Sequence, residues 1–359
     1  MPPPITGKEA LELFHKSEIA KLADLDEATL ARIQQLARSA SPADTLQPLV
    51  SGGFLTRWQA DQLLQGKYKR FRIGRALPVG RQGFGRYLIL EPLSSIGEAV
   101  FLARPEGSRL TVTITVRVIL PTDERCEGGW QWWTLGEQPN IIRWCNRDQD
   151  AELHYSVCES LEAAQSLALL TPAGKHLPLG EACGCAIQIA KALEAIHRTK
   201  PIWDSDAKPA YGRIDPGNVF VWESGAVKIP PPWWFLGHWD FHRIIEAHPE
   251  FAAPNQIERP FSVDHRCDCY SLGLVLSHMM GGVRTDVSPS NPLYKIVSRL
   301  PGVAVPPALA SVITKMTAKK PGDRFQSMTD VIAALRPFVV PAPPGTCPPM
   351  AAAALAQLA

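Results

Sequence analysis

Two groups of residues in this chain have the types that metal or phosphate chemistry uses and a third has the types that packing or partner binding uses, and their spacing decides how far each can be taken. Cysteines stand at 126, 145, 158, 183, 185, 267, 269 and 347. The two close pairs are Cys-x-Cys, not the Cys-x-x-Cys that turns two thiolates toward one zinc ion in ribbon-type sites. No metal site is therefore expected among them, and the thiols are read as reduced and buried. Gly80-Arg81-Gln82-Gly83-Phe84-Gly85 combines glycine with basic charge, as phosphate cradles do, but its spacing matches no phosphate motif and it is read as a flexible insertion. Pro230-Pro231-Pro232-Trp233-Trp234, with Trp239 close behind, sets a stiff extended segment beside a large apolar area. Core packing is the first reading of these tryptophans and a partner-binding patch the second.

The elements that hold these groups follow from caps and periodicity. From Thr6 to Lys67 the pattern is helical: Asp26 is placed to cap a helix over 27–38, Ser41 precedes Pro42 at a second start, and Thr56 is placed to cap 57–65. Trp58, Leu63 and Leu64 give that last helix an apolar face, and Gly66 ends it. A small helical domain is expected over 1–70, followed by a linker or insertion over 71–86 that is rich in Gly and Arg. Strands are expected over 87–90, 99–103 and 110–120, the last crowded with Thr, Val and Ile, and the three are placed as antiparallel neighbours. Helical spacing then dominates at 181–197, 270–280 and 312–335. This divides the remainder into a β-rich lobe over 87–170, a helical lobe over 171–338 and a Pro/Ala-rich loose tail over 339–359.

With 359 residues, 45% of them hydrophobic and 20% charged, the chain can bury a sizeable core. A formal net charge of +2 provides no single-sign field for general nucleic-acid binding or for attachment to an acidic membrane surface. No apolar run reaches the roughly 18–20 residues of a membrane helix, and Met1-Pro2-Pro3-Pro4-Ile5 lacks a secretory pattern, so a cytoplasmic location is expected.

Seven strings carry a family resemblance by their order: Val100-Phe101-Leu102-Ala103, Thr115-Val116-Arg117-Val118-Ile119, Gln138-Pro139-Asn140-Ile141-Ile142-Arg143, Asn218-Val219-Phe220-Val221, Gly225-Ala226-Val227-Lys228-Ile229, Asp264-His265-Arg266-Cys267-Asp268-Cys269-Tyr270-Ser271-Leu272-Gly273 and Lys320-Pro321-Gly322-Asp323-Arg324-Phe325. Over 87–338 the chain resembles the eukaryotic-type Ser/Thr protein kinases of bacteria. The resemblance implies an α+β, two-lobed protein-kinase-like fold, with a small β-rich lobe and a larger helical lobe, here preceded by a small helical domain.

The same resemblance assigns roles, and several are filled by unsuitable residues. The stretch Leu93-Ser94-Ser95-Ile96-Gly97-Glu98-Ala99-Val100 has one glycine where the family's phosphate loop has three, and Glu98 repels phosphate. Arg117 stands where the family has its phosphate-gripping lysine, a forked group in place of a compact ammonium. The room for helix C is short and holds Gly128, Gly129, Trp130, Trp132 and Trp133; Glu124, Glu127 and Glu137 are the carboxylates available to Arg117. Two registers compete for the catalytic loop. The preferred one places Tyr211-Gly212-Arg213-Ile214-Asp215-Pro216-Gly217-Asn218 there, keeping the metal-holding Asn218 but putting Arg213 at the base position. The other uses Asp206, Lys208 and Pro209 and lacks the asparagine. The metal-binding aspartate, expected two residues after Ile229, is replaced in both registers by Pro231, which cannot ligate a metal. Asp268 and Arg324 match residues that hold the family's frame, although Asn255 supplies an amide where the family's partner of Arg324 is a glutamate.

These features imply a catalytically deficient, pseudokinase-type module with no catalytic residue and no cofactor, working through a protein partner as regulator or scaffold. Two alternatives stay open. One is an atypical Ser/Thr kinase using ATP with Mg²⁺, in which Arg117 grips phosphate, Asn218 and another carboxylate hold the metal, and Asp206 or Asp215 is the base. The other is a nucleotide sensor that binds without transfer.

Overall fold

The structure, a computed structural model, describes residues 3–4, 6–17, 19, 27–68, 71–74, 86–93, 100–106, 108, 110–118, 135, 138–150, 153–172, 175–199, 209–212, 214–231, 249–258, 264–281 and 305–339. The chain divides into two compact units, one made of Met1–Val118 with Cys145–Glu162 and the other of Ile119–Trp144 with Ala163–Ala359.

The first unit opens with four helices, α1 Gly7–Lys16, α2 Glu27–Leu36, α3 Pro42–Ser51 and α4 Arg57–Leu64. Their starts are local. Thr6 and Glu9 close a capping box on α1, Ser41 accepts from the Asp44 N–H ahead of Pro42 on α3, and Thr56 with Gln59 closes a second box on α4. Gly66 ends the last helix at φ 77°, a left-handed conformation that glycine adopts without strain. Asp26, the expected cap of α2, lies outside the described residues.

A six-stranded sheet follows, from β1 Arg72–Gly74, β2 Arg86–Pro92, β3 Val100–Pro105, β4 Val112–Val118, β5 Trp144–Asp150 and β6 Leu153–Glu159, in the order β1-β2-β3-β4-β6-β5. The expected trio of antiparallel neighbours is β2, β3 and β4. The expected linker over 71–86 is corrected at both ends: Arg72–Gly74 pairs with Arg86–Leu88, because adding a strand satisfies backbone N–H and C=O groups that a linker would leave to water. The remainder of that stretch, 75–85, lies outside the described residues.

The helices are not a separate body. Ala10, Leu13, Phe14, Leu46, Leu49 and Leu63 share one apolar cluster with Leu88, Leu90 and Leu102 of the sheet. Between Ile89 and Glu91 the register of β2 slips by one residue, which frees carbonyls that α4 takes up: Thr56 Oγ1 donates to Leu90 O at 2.6 Å and Gln59 Nε2 to Ile89 O at 2.7 Å.

The second unit begins its described helices and strands with β7 Ala164–Ser166 and α5 Leu167–Leu170, followed by α6 Leu179–His197, β8 Phe220–Trp222, β9 Val227–Lys228, α7 Pro254–Glu258, α8 Arg266–Met279, α9 Pro307–Met316 and α10 Met328–Leu335. The strands form a small sheet, β7-β8-β9. The compact units therefore change over at 162/163 and not at the expected 170/171, since Ala164–Ser166 pairs with Phe220–Trp222. The helical spacing over 312–335 is likewise two helices, α9 and α10, separated by a 3₁₀ turn at Pro321–Asp323; a proline cannot continue α9, and Ser327 accepts from the Asp330 N–H to start α10. Helix α8 is buried nearly all round, from Cys267 to Ser277, which marks it as the central element of its unit. Its Gly273 lies against Met316 and Thr317, where an added Cβ would meet side-chain atoms at 2.8–2.9 Å.

Cys158, Cys183, Cys185, Cys267 and Cys269 are buried and outside any disulfide; Cys145, expected to be buried, is exposed. Burial pushes the Cys185 and Cys269 thiols up to about 12, which keeps them protonated and poor as ligands.

Candidate functional site

The polar groups of the second unit converge on the first turn of α8. Asp264 stands two residues before that helix and accepts from the backbone N–H of Arg266 at 2.9 Å and from its guanidinium at 2.9 and 2.6 Å. Burial alone would raise the Asp264 carboxyl, but the hydrogen bonds from Arg266 outweigh it and hold the group below the usual carboxylate range. One turn on, Asp268 has no exposed surface. Its Oδ2 accepts from the Tyr211 N–H at 2.8 Å and faces His197 Nε2 at 2.8 Å, and its Oδ1 accepts from the Gly212 N–H at 2.7 Å. A carboxylate only accepts, so Nε2 of His197 carries the proton. A buried charge is tolerated here because donors surround it, at the N-terminal end of a helix where the dipole favours an anion.

Two consecutive N–H groups reach one carboxylate because the chain turns at Gly212, where φ is 74°. Gln256 of α7, itself without exposed surface, holds the other side of the turn: its Nε2 donates to Gly212 O at 2.9 Å and its Oε1 accepts from the Ala253 N–H at 2.8 Å. Tyr211 donates its hydroxyl to Pro230 O at 3.1 Å, tying the loop to the segment after β9. Farther along, Asp215 and Asn218 close a capping box. Asp215 accepts from the Gly217 N–H at 2.8 Å and from Asn218 Nδ2 at 2.9 Å, and Asn218 Oδ1 accepts from the Asp215 N–H at 3.2 Å. Both residues are 3% exposed.

The segment that ends in the prolines is held from its other side. Ile229 bridges Ile141 in parallel, with Ile142 N–H donating to Ile229 O at 2.9 Å and Ile229 N–H to Asn140 O at 3.0 Å. The Asn140 amide donates to Val227 O at 2.9 Å. Pro230 and Pro231 follow, both buried. Arg324, 1% exposed, donates to Ala318 O, Arg266 O, Lys319 O and Asn255 Oδ1 at 2.7–3.0 Å and lies 5.0 Å from the Tyr270 ring. These acceptors are neutral, and burial holds the guanidinium below its ordinary range.

The structure thus brings Asp268 to the 211–212 loop, Asn218 to Asp215 and Arg324 to Asn255. Arg117 stands on β4 of the first unit, opposite His154, and its side chain lies outside the described residues. Arg213, Asp206, Lys208, Glu124, Glu127, Glu137, Trp233, Trp234, Trp239 and the glycine stretch 94–99 also lie outside them. His197, Gln256 and Tyr211 are the participants that the sequence did not single out. The Asp-x-x-Asn spacing was a signal for the 215–218 turn; nothing local marks His197. Among the described residues no three His, Cys, Asp or Glu side chains gather as metal ligands, and no helix is long and apolar enough to cross a membrane. The assembly is suited to holding a loop: Asp268 accepts from two backbone N–H groups, from His197 and, at 3.6 Å, from the Cys267 thiol.

No protein-family model matches the chain. In sequence it is similar to a probable serine/threonine-protein kinase of Clostridium perfringens, 26% identical over 211 residues, covering 55% of this chain and 29% of that protein. A probable serine/threonine-protein kinase of Clostridium acetobutylicum is 24% identical over 217 residues, covering 54% and 30%. The serine/threonine-protein kinase PksC of Streptomyces coelicolor is 25% identical over 195 residues, covering 49% and 32%. The chain spans less than a third of the length of each of these curated relatives. Among solved structures, a double mutant of the PknI kinase domain of Mycobacterium tuberculosis matches with a TM-score of 0.52 at 20% identity, over 74% of this chain and 99% of that one. A single mutant of the same domain matches with a TM-score of 0.50 over the same shares. With an α+β architecture, a loop held by a buried aspartate of the central helix and these likenesses together, the chain has the fold of a protein kinase domain and is similar in sequence to bacterial serine/threonine-protein kinases.

Proposed function

We propose that this chain is a kinase-like binding module that has given up phosphoryl transfer and acts as a regulator or scaffold for a protein partner. The observation that carries this reading is the contrast within one unit. Both oxygens of Asp268 are engaged by backbone N–H groups, while the position two residues beyond Ile229 is a buried proline, Pro231, without a side-chain oxygen. Magnesium demands oxygen ligands in near-octahedral array, and phosphoryl transfer depends on that ion to neutralise charge between the β- and γ-phosphates. Among the described residues the groups at these positions do not suit Mg²⁺-ATP: Pro231 provides no ligand, the Asn218 amide is engaged at both ends with Asp215, and Asp215 caps its own turn.

A second reading, an atypical Ser/Thr kinase using ATP and Mg²⁺, is favoured by one observation: the curated relatives are named as serine/threonine-protein kinases. Thermal unfolding of the purified chain separates the readings, because a ligand bound by the native state alone raises the midpoint. The binding-module reading predicts no shift with millimolar ATP, with or without Mg²⁺. A shift that requires Mg²⁺ would overturn it in favour of the kinase, and a shift indifferent to metal would identify a nucleotide sensor.

A further inference from the structure

In the sheet of the first unit, β5 and β6 are neighbours, and only residues 151 and 152 stand between Asp150 and Leu153. A connection that short sets an antiparallel hairpin in which Asp150 faces Leu153. The two strands are equal in length, Trp144–Asp150 and Leu153–Glu159, and antiparallel pairing of strands so matched end to end would set Cys145 opposite Cys158. Residues directly opposed in antiparallel strands have Cα atoms about 4.5–5.5 Å apart, inside the ~4.4–6.8 Å that a disulfide spans. The two thiols differ in access: Cys145 is exposed, and Cys158 is 1% exposed, with Thr113 of β4 as its partner on the other side. Burial, and after it the nearness of Cys145, push the Cys158 thiol well up.

We propose that Cys145 and Cys158 form a thiol–disulfide exchange site for low-molecular-weight disulfides of the glutathione type, with Cys145 as the attacking residue and Cys158 as the resolving one. In the first step the Cys145 thiolate attacks one sulfur of the small disulfide. That S–S bond breaks, a mixed disulfide forms, and one small thiolate leaves with the electron pair and takes up the proton that Cys145 gave to water. In the second step Cys158 loses its proton to water and attacks the Cys145 sulfur, and the second small thiol leaves. Two protein thiols are oxidised by two electrons and one small disulfide is reduced to two thiols. Because burial disfavours the Cys158 thiolate, the mixed disulfide persists near neutral pH and resolves faster as pH rises.

The test is incubation of the full chain with oxidised glutathione over a range of pH, followed by alkylation, digestion and mass mapping. The expected result is glutathione on Cys145 first, then a Cys145–Cys158 linkage two hydrogens lighter than the dithiol, formed faster at higher pH. Since Cys158 is buried in the core, the deciding variant is the exposed Cys145→Ser, which loses the linkage and leaves Cys158 unmodified. Glutathione that stays on Cys145 at every pH without a linkage would overturn the proposal. So would a linkage that runs through Cys126 or Cys347 instead, or modification of Cys158 in the Cys145→Ser chain.

Discussion

Arg324 shows what one side chain costs when its partner changes. Its guanidinium is buried, and Nη2 donates at 3.0 Å both to the Asn255 amide oxygen and to Lys319 O. Replacing a neutral acceptor of a guanidinium by a carboxylate adds the attraction of a partly exposed ion pair, about 1 kcal/mol. Asn255→Asp, nearly isosteric, is therefore expected to raise stability by roughly that amount in urea unfolding, and no gain would mean that the neutral acceptors already satisfy the cation. His278 provides a pH-dependent case. Its Nε2 meets Thr171 Oγ1 at 3.1 Å, and burial holds it below the ordinary histidine range, against the opposing pull of Thr171 and Glu250. The native state then takes up a proton less readily than the unfolded chain, so stability is complete above the unfolded value of about 6.5 and declines as pH falls below it. The thermal midpoint of the native chain should fall more between about pH 7.5 and 5.5 than that of His278→Gln; equal slopes would remove His278 as the cause. The Arg324 pairing was legible in the sequence because a family pattern named both positions, whereas nothing in the sequence pointed to His278.

At the scale of elements, the join between α4 and β2 depends on two residues that do two jobs each. Thr56 and Gln59 close the capping box that starts α4, and the same side chains donate to Leu90 O and Ile89 O at the register slip of β2. The cap is visible in sequence as Thr-x-x-Gln; its second use is not, since the acceptors are 30 and 34 residues away. Gln59→Ala removes the return bond to the Thr56 N–H and leaves Ile89 O buried without this donor. It should cost about 1–3 kcal/mol, with amide exchange accelerated in β2 as well as in α4. Exchange confined to α4 would show that the cap and the sheet are not coupled.

For the molecule as a whole, the helices at the start of the chain belong to the core of the first unit. Leu88, Leu90 and Leu102 pack in the same cluster as Phe14, Leu46 and Leu63, and each large apolar side chain returned to water loses about 1.5–3 kcal/mol. A chain lacking residues 1–67 is expected to lose the thermal transition of the first unit or to aggregate, while a chain in which those helices are independent would keep that transition unchanged. The expected division of a helical domain followed by a linker was a statement about sequence segments. Packing overrode it, because an amphipathic helix needs a face to cover and the sheet offers one.

The starts of α3 and α4, the three central strands and the kinase-like order of segments were determined by the sequence alone, because caps, β-branched runs and turns act over a few residues. That Pro231 offers no side-chain oxygen is equally a matter of residue type. Only the tertiary structure decided that Asp268 is buried, that its backbone and histidine partners stand 56, 57 and 71 positions away, and that Asn218 spends its amide on Asp215. A carboxylate cannot be buried until its partners have been brought to it, and that depends on which helices and loops pack together, a property of long-range contacts that local pattern does not encode.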